Sequence, residues 1–420
     1  MTSPVDAPRS HMSRRRIRRL TVTILVTVLV LGFGGYATAV ALTPAPDPTV
    51  ELTIDAEQQV DADPAAPIAA VDGQAAPTAV GWLDGEQVWA NTDESVPIAS
   101  LTKVVTVLVA LEQQPIDAGA AGPTHVWTEE DAARQNAYLA ADGIVFPISI
   151  GTEVTVREML MLALIPSAND FAAAYAYSVF GDNDTFLSAV DDWATRHGLS
   201  TLRLVEPTGM DANNTASPAD LVRLARLALA NPAVAEIVAM PSATLPWGIG
   251  TVESTNQLHH LLTDVRGIKT GTTSVAGSNL LSAQGGEADG REFVKIAAVL
   301  AREGDADRVD SSIAVLAALD SAPQPVELVA EGTRVGNATT VDGFEIPLVT
   351  DSSASTVLLP GESATTRATL SDLGAGAARQ HAGTVTVASP TGDTEIAVVT
   401  TEAIIEPGYW WRFTHPGEVF

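Results

Sequence analysis

An uncharged apolar run from Leu20 to Leu42 constrains this chain more than any other feature, because a stretch of this kind is unstable in water. About 20 apolar residues cross a bilayer as one α-helix. The basic sequence RRRIRR, at 14–19, stands directly before the run. Since basic flanks stay in the cytoplasm, we predict a basic cytoplasmic segment at 1–19, a transmembrane helix at 20–42 and the rest of the chain outside the cell.

The same run is compatible with a cleaved signal peptide. Both Ala37-Thr-Ala39 and Ala39-Val-Ala41 satisfy the small-x-small rule for cleavage, and cleavage would release a secreted protein. We favour the uncleaved alternative, a single-pass anchor in the cell membrane. Both alternatives export the body of the chain.

The net charge of −28 narrows the possible partners. Nucleic-acid binding needs clustered lysine and arginine, so we expect no nucleic-acid partner for so acidic a chain. The chain has no cysteine, and therefore no disulfide and no thiolate nucleophile. Its seven histidines are scattered, apart from His259-His260, and show no metal-binding spacing. We therefore expect neither a metal nor another cofactor.

Changes in composition divide the exported part of the chain. Residues 43–78 are rich in Pro, Ala and Asp and are predicted to form a linker. Helices followed by strands are predicted over 79–322, and Pro323 and Pro325 mark the end of that domain. Short alternating strands without a helical pattern predict a separate all-β domain at 326–413, followed by a tail at 414–420.

Hydrophobic periodicity predicts the elements within 79–322. Asp84-Gly85 indicates a two-residue hairpin turn between two short strands. Helices are expected at 98–112, 129–141, 156–164, 169–180, 185–197, 217–230 and 306–319, and strands near 245–253, 265–271, 277–284 and 293–301. The helix at 98–112 is apolar almost all round, so we expect it to be buried.

Lysine is scarce in this chain. Three lysines, at 103, 269 and 295, occur among 23 basic residues. Arginine stays protonated at any ordinary pH, whereas burial or a neighbouring cation can make lysine neutral and therefore basic. Two of the three lie in the short sequences Ser100-Leu-Thr-Lys103 and Lys269-Thr-Gly271. Lys295, within REFVKIAAVL, is expected to face solvent on a strand.

The spacing of Ser100 and Lys103 points to nucleophilic catalysis. On a helix the two side chains share a face, one turn apart. A serine at the start of that helix lies near unpaired N–H groups, which favour the negative charge that develops during acyl transfer. Lys103 is the candidate base, provided that desolvation or a second cation such as Lys269 lowers its pKa from about 10.4.

Each of these motifs alone is common by chance. Ser-x-x-Lys is most often a helix cap followed by a solvated lysine, and Lys-Thr-Gly is most often a turn. Here they flank Ser167-Ala-Asn169, so that the chain reads Ser-x-x-Lys, Ser-x-Asn, Lys-Thr-Gly in that order. This is the motif set of penicillin-binding proteins and serine β-lactamases.

The chain resembles the serine D-alanyl-D-alanine carboxypeptidases, the low-molecular-mass penicillin-binding proteins of peptidase family S11. The likeness is strong over about residues 79–320 and looser over the β segment from 326. Its main stretches are VPIASLTKVVTVLVALE, LALIPSANDFAAAYA, HGLSTLRLVEPTGMDANNTASPADLVRLA and GIKTGTTSVAGSNLLSA. The resemblance implies an α/β (α+β) domain of the serine β-lactamase and DD-peptidase type, in which helices flank an antiparallel sheet and form a helical subdomain. A small all-β C-terminal domain would follow.

The resemblance also implies a role for each motif residue. Ser100 would be acylated with Lys103 as its base, and Ser167 would pass a proton towards the leaving D-alanine. Asn169 would hold the substrate amide and the lysine network. The residues that bind the substrate's carboxylate side would be Lys269, Thr270, Gly271 and Thr272. The backbone N–H groups of Ser100 and Thr272 would form the oxyanion hole.

The implied substrate is a peptidoglycan stem peptide ending in D-Ala-D-Ala, and β-lactam antibiotics are implied inhibitors. Two alternatives remain: a D,D-endopeptidase of the same family, and a catalytically silent envelope protein that binds or scaffolds. A class A β-lactamase is disfavoured because no stretch resembles its glutamate-bearing loop. A Ser-His-Asp hydrolase is disfavoured because Gly-x-Ser-x-Gly does not occur.

Aromatic residues cluster near the C-terminus, at Trp410, Trp411 and Phe413. Such residues suit a membrane–water boundary, but the segment is too short for an amphipathic interfacial helix. We therefore expect them to pack onto the β domain.

Overall fold

The computed structural model describes residues 13–420, which form two compact units. We call them the α/β unit and the β unit. The α/β unit contains Val60–Val326 and Thr356–Ala364, and the β unit contains the described chain up to Gln59, Glu327–Ser355 and Thr365–Phe420. The β unit is thus built from both ends of the chain.

The elements have the following bounds in the described chain. The helices are α1 (Arg14–Leu42), α2 (Ala65–Asp72), α3 (Thr102–Gln113), α4 (Glu129–Ala140), α5 (Val156–Leu164), α6 (Asn169–Phe180), α7 (Asn183–Arg196), α8 (Pro218–Ala230), α9 (Pro232–Val238), α10 (Leu258–Leu261), α11 (Asp305–Ala318), α12 (Tyr409–Thr414) and α13 (Pro416–Val419). The strands are β1 (Thr49–Leu52), β2 (Glu57–Asp61), β3 (Thr78–Trp82), β4 (Val88–Ala90), β5 (Val96–Pro97), β6 (Thr124–Val126), β7 (Glu153–Thr155), β8 (Thr215–Ala216), β9 (Ser242–Leu245), β10 (Gly250–Glu253), β11 (Val265–Thr273), β12 (Gly277–Ala288), β13 (Arg291–Arg302), β14 (Gln324–Val329), β15 (Arg334–Thr339), β16 (Glu345–Thr350), β17 (Ala354–Leu358), β18 (Ser363–Leu370), β19 (His381–Ala388) and β20 (Thr394–Thr400).

A five-stranded antiparallel sheet lies at the centre of the α/β unit. Its strand order is β11-β12-β13-β3-β4, and Lys269 lies opposite Leu281 in its first pair. Successive side chains of a strand point to opposite faces, so Ala298 belongs to one buried cluster and Ala297 to another. α8 contacts β13 and β3 from the first face, and α11 contacts β12 and β13 from the second. The predicted sheet flanked by helices is confirmed.

The helix that carries the first motif is buried almost all round. Every residue of α3 from Thr102 to Leu111 is buried, although its valines and threonines are poor helix formers. A 3₁₀ turn, Ala99–Leu101, precedes the helix, and no side chain of the described residues caps its start. By contrast, a capping box with Thr128 begins α4 and another with Thr155 begins α5. Tertiary packing therefore holds α3 in place.

The β unit contains a seven-stranded sheet in the order β1-β15-β16-β20-β19-β18-β2. Its buried cluster includes Val335, Leu348 and Ile396, so the expected all-β C-terminal domain is present. α1 belongs to the same unit, and its length and composition would allow it to cross a membrane.

The prediction of a linker at 43–78 is wrong. β1 pairs with β15, so that Val50 lies opposite Ala338, and β2 is the far edge strand of the same sheet. α2 buries Ala70 and Val71 within the α/β unit. The Pro and Ala content suggested a linker because the pairing partners come from the other end of the chain, where a local pattern cannot indicate them.

The predictions for Lys295 and for the C-terminal aromatic side chains are also wrong. Lys295 is buried; its ammonium donates to the carbonyl oxygen of Leu316 at 3.1 Å and pairs with Asp320. It lies on a central strand that is covered on both faces. Of the C-terminal aromatic side chains, Phe413 contacts α1, with its ring centroid 5.5 Å from that of Phe33, whereas Trp410 is exposed.

Candidate active site

Ser100 and Lys103 meet at the start of α3. Ser100 lies in the 3₁₀ turn that leads into the helix, and Lys103 lies in the first turn of the helix. Lys103 Nζ lies 2.8 Å from Ser100 Oγ and donates to the carbonyl oxygen of Thr208 at 2.7 Å. The lysine is fully buried and the serine is partly exposed. The hydroxyl is therefore open to a ligand, while its partner is shielded from water.

The pKa of Lys103 is lowered to about 7. Burial is the largest cause because it disfavours the charged form, and the negative charges of Glu206 and Asp170 partly oppose it. About half of the amine is then neutral near pH 7. A neutral amine at hydrogen-bonding distance from a hydroxyl can accept its proton.

β11 carries the Lys269-Thr-Gly271 motif past the 3₁₀ turn. A Cβ atom added at Gly271 would lie 2.8 Å from the backbone nitrogen of Ser100 and 2.9 Å from the carbonyl oxygen of Ile98. Only glycine allows the two backbones to approach so closely. The first and third motifs, which are distant in sequence, therefore lie side by side.

Lys269 is buried in the same region, and its ammonium donates to the carbonyl oxygen of Thr270 at 3.0 Å. The pKa of Lys269 is lowered well below its ordinary value, first by burial and then by the positive charges of Lys103 and Arg308. The sequence had suggested a fixed cation here. In the structure three basic groups share a buried site, and an anion bound among them would favour their charged forms.

Arg308 lies in the site but is not predicted from the sequence. It comes from α11 and is buried; its guanidinium donates to Oγ1 of Thr272 at 3.1 Å and lies 3.2 Å from a carboxylate oxygen of Asp305. The surrounding sequence GDADRVD, at 304–310, has the composition of an exposed helix start, so no local signal marks the arginine. Its role becomes visible only because α11 packs beside β12.

The second motif lies at the start of α6, which packs against α3. Ser167 is buried and has a left-handed backbone conformation, with φ of 73°. Asn169 is also buried; its Oδ1 accepts from the N–H of Ile144 at 3.2 Å, and its Nδ2 has no hydrogen-bond partner among residues 13–420. A buried amide donor without a partner is available to a ligand. In the described chain neither side chain hydrogen-bonds to Lys103.

Asp170 joins the start of α6 to neighbouring segments of the site by hydrogen bonds. Its carboxylate accepts from Gln135 Nε2 at 2.8 Å and from the backbone N–H of Phe146 at 3.0 Å, while burial raises its pKa. Together with Asn169, it fixes the segment 144–146 against the start of α6. The sequence reading assigned Asp170 no role.

Glu206 organises the loop that faces Lys103. Its carboxylate accepts from Thr208 N–H at 2.8 Å, from Gly209 N–H at 2.6 Å and from Asn214 Nδ2 at 2.8 Å. A Cβ atom on Gly209 would lie 2.0 Å from the carbonyl oxygen of Ala99, so this loop packs directly against the 3₁₀ turn. The sequence VEPTGMDANN, at 205–214, resembles the family, but its pattern predicts no role for Glu206 itself.

These features define a class of protein. A serine and a buried lysine touch on a central helix, a Lys-Thr-Gly strand lies against that serine, and a buried asparagine lies at the start of an adjacent helix. The sheet lies between helical layers. Such a site belongs to the serine acyltransferases of the β-lactamase and DD-peptidase type.

The family follows from the sequence match. The model of peptidase family S11, D-alanyl-D-alanine carboxypeptidase, matches residues 88–300. The chain belongs to this family of serine-type peptidases, and the predicted family is confirmed.

Some relatives are named D-alanyl-D-alanine endopeptidases and others D-alanyl-D-alanine carboxypeptidases. The D-alanyl-D-alanine endopeptidase of Pseudomonas aeruginosa is 29% identical over 197 residues, which are 46% of this chain and 60% of that enzyme. The D-alanyl-D-alanine carboxypeptidase DacB2 of Mycobacterium tuberculosis is 30% identical over 230 residues, which are 53% of this chain and 75% of that enzyme. The crystal structure of the D-alanyl-D-alanine carboxypeptidase DacD from Francisella tularensis has a TM-score of 0.53 at 16% identity, and the match covers 79% of this chain and 94% of that one. The last likeness shows the fold.

Proposed function

We propose that this chain is a serine-type D-alanyl-D-alanine carboxypeptidase, which removes the terminal D-alanine from peptidoglycan stem pentapeptides through an acyl-enzyme on Ser100. The observation that carries the proposal is the 2.8 Å contact between Ser100 Oγ and Lys103 Nζ, with a lysine pKa lowered to about 7. A lysine with the ordinary pKa of about 10.4 would be almost fully protonated at neutral pH and would not serve as a base.

In the proposed reaction, Ser100 Oγ attacks the carbonyl carbon of the penultimate D-alanine while its proton passes to Lys103 Nζ. The peptide C–N bond then breaks, and the leaving amine takes up a proton through Ser167. Water hydrolyses the resulting ester, which releases the shortened stem and restores the serine hydroxyl. The N–H groups of Ser100 and Thr272 would hold the oxyanion, and the close approach of β11 to the 3₁₀ turn supports this pairing.

The substrate's terminal carboxylate would bind between β11 and α11. Lys269, Thr270 and Thr272 would contact it, and Arg308 already donates to Thr272 Oγ1. A bound carboxylate would raise the lowered pKa of Lys269 by adding a neighbouring negative charge. The unpartnered Nδ2 of Asn169 would donate to the substrate amide. β-Lactams carry the same carboxylate and would compete for this site.

The proposal also includes the cellular location. α1 would be an uncleaved single-pass anchor, with the body of the chain on the cell-wall side of the membrane. The arginines of RRRIRR next to the apolar run support this orientation.

A labelling experiment on the full-length chain tests the proposal. Fluorescent penicillin should form a covalent adduct, and incubation with a D-Ala-D-Ala pentapeptide should release free D-alanine. Ser100→Ala should abolish both signals. No adduct on the wild-type chain would favour a catalytically silent relative, and an adduct that persists in Ser100→Ala would show that another residue is the nucleophile.

A D,D-endopeptidase is the second candidate, and the relative of that name at 29% identity favours it. The two activities share the acyl-enzyme and differ in the bond that is cut. Product analysis separates them: free D-alanine from a pentapeptide supports the carboxypeptidase, whereas monomers from a cross-linked stem dimer without free D-alanine would support the endopeptidase.

A further inference from the structure

Helix α12, near the C-terminus, packs against the C-terminal end of α1. The ring of Phe413 lies at the centre of this contact, with its centroid 5.5 Å from Phe33 and 4.9 Å from Tyr36. The Tyr36 hydroxyl donates to the carbonyl oxygen of Phe413 at 2.5 Å, and the Tyr409 hydroxyl donates to the carbonyl oxygen of Ala37 at 3.2 Å. Both helices belong to the β unit.

The contact lies where the far boundary of a bilayer would fall. Tyr36 is about 26 Å along the helix from Arg19, the last basic residue of RRRIRR, at 1.5 Å per residue. The hydrocarbon core of a bilayer is about 30 Å thick. The large apolar side chains between these points, such as Leu25 and Leu29, are exposed, as lipid-facing side chains would be. With Arg19 at one boundary, Tyr36 and its partners lie at the other.

The outer surface of this contact is aromatic. Trp410 is 73% exposed, and its ring stacks on Phe413 with centroids 5.7 Å apart. Tyr409 and Phe420 are exposed beside it. Tryptophan and tyrosine prefer the headgroup region of a bilayer, where an apolar ring and a polar group are both accommodated.

We propose that α12 and the end of α1 form one juxtamembrane element, whose exposed aromatic side chains lie in the headgroup region of the lipid bilayer. This inference rests on the proposed anchoring by α1. It also bears on processing: cleavage after Ala39 or Ala41 would remove Phe33 and Tyr36, the two rings of α1 that contact Phe413. The packed element therefore requires that α1 is retained.

Cysteine cross-linking tests the packing, and the chain's lack of cysteine removes any background. The full-length chain with Ala37→Cys and Tyr409→Cys keeps the contacts of Phe413 with Phe33 and Tyr36. It is reconstituted into phosphatidylcholine–phosphatidylglycerol vesicles and treated with a short bis-maleimide. We expect an intramolecular cross-link. Leu25→Cys with Tyr409→Cys is the matched control, because Leu25 lies about 18 Å further along α1, and it should not cross-link. No cross-link for the first pair overturns the proposal.

Tryptophan quenching tests the contact with lipid. The wild-type protein should lose more tryptophan fluorescence in vesicles whose lipid is brominated next to the headgroup than in vesicles whose lipid is brominated at the ends of its acyl chains. Trp410→Phe should reduce this quenching by about half, since Trp411 is beside it and the tryptophans of the α/β unit lie outside the bilayer. Equal quenching in wild type and Trp410→Phe overturns the proposal.

Flotation of the same samples separates this proposal from the anchoring on which it rests. A chain that floats with the vesicles without cross-linking or quenching contradicts the juxtamembrane element alone. A chain that fails to float refutes the anchor and the element together. Penicillin labelling of each sample reports the active site independently.

Discussion

At the scale of single residues, the site depends on a lysine whose pKa is lowered by burial. An arginine in the same place would remain a cation and could not take the serine proton. We therefore expect Lys103→Arg to slow penicillin acylation by about 1,000-fold, within the range usual for loss of a general base. The rate of fluorescent-penicillin labelling measures this.

Lys269→Arg is the matched control for that prediction. Binding a carboxylate needs a cation in roughly the right place, so this variant should lose only about tenfold in acylation rate. Labelling of Lys103→Arg at nearly the wild-type rate would show that Lys103 is not the base.

The negative charge of Glu206 affects the pKa of Lys103, and we therefore expect it to affect the pH range of the reaction. Lys103 acts as a base only when neutral, so the acylation rate should rise as the pH rises through about 7. Glu206 raises the pKa of Lys103 against the larger effect of burial. Glu206→Gln removes that negative charge, so the pKa should fall and the rising limb should move to lower pH. Acylation rates measured over roughly pH 5 to 9 locate this rise, because a group with a pKa of about 7 titrates within that range.

Asp131→Asn serves as the control for the loss of a buried carboxylate whose two oxygens both accept hydrogen bonds. Asp131 pairs with His125 and Arg134 at the start of α4 and is not among the charges that act on Lys103. The acylation rate of Asp131→Asn should therefore rise over the same pH range as that of the wild type. A Glu206→Gln limb that is unmoved, or that moves to higher pH, contradicts the assignment.

At the scale of elements, we expect catalysis to depend on how closely β11 approaches the 3₁₀ turn. A Cβ at Gly271 would meet backbone atoms of Ser100 and Ile98, which cannot rotate away as a side chain can. Gly271→Ala should therefore displace the serine and lower the acylation rate by about 100-fold, the effect of a misplacement near 1 Å. Gly85→Ala, where the nearest atom would be 3.8 Å away, should label like the wild type. Unchanged labelling of Gly271→Ala would contradict the role given to this approach.

Elements with strong local signals were predicted well. The helix expected at 129–141 is α4, Glu129–Ala140, and Thr128 with Asp131 forms the capping box that begins it. The strand pattern near 265–271 is β11. Short elements whose stability comes from distant partners, such as β1 and α2, were not predicted.

At the scale of the whole molecule, the segment that looked like a linker is part of both compact units. A soluble chain that begins at residue 79 would lack β1, β2 and α2, whereas one that begins at residue 44 keeps them. The loss of buried Ala70 and Val71 alone removes about 3 kcal/mol of apolar burial. We expect the chain that begins at 79 to unfold about 5–10 °C lower, as measured by thermal denaturation.

A chain that begins at residue 49 is the control for this truncation. It loses only the residues before β1, so it should unfold at the same temperature as the chain that begins at 44. Equal melting of the chains that begin at 44 and 79 would restore the interpretation of 43–78 as a linker.

The sequence alone determined the family, the order of the three motifs, the apolar N-terminal helix and the longer helices, because each of these depends on residues that are close together in the chain. Only the tertiary structure decided which distant residues share the site: Arg308 beside Thr272, Glu206 facing Lys103, and the ends of the chain joined in one sheet. Burial and charge depend on neighbours in space. The pKa values of the two site lysines therefore became readable only once the fold had brought those neighbours together.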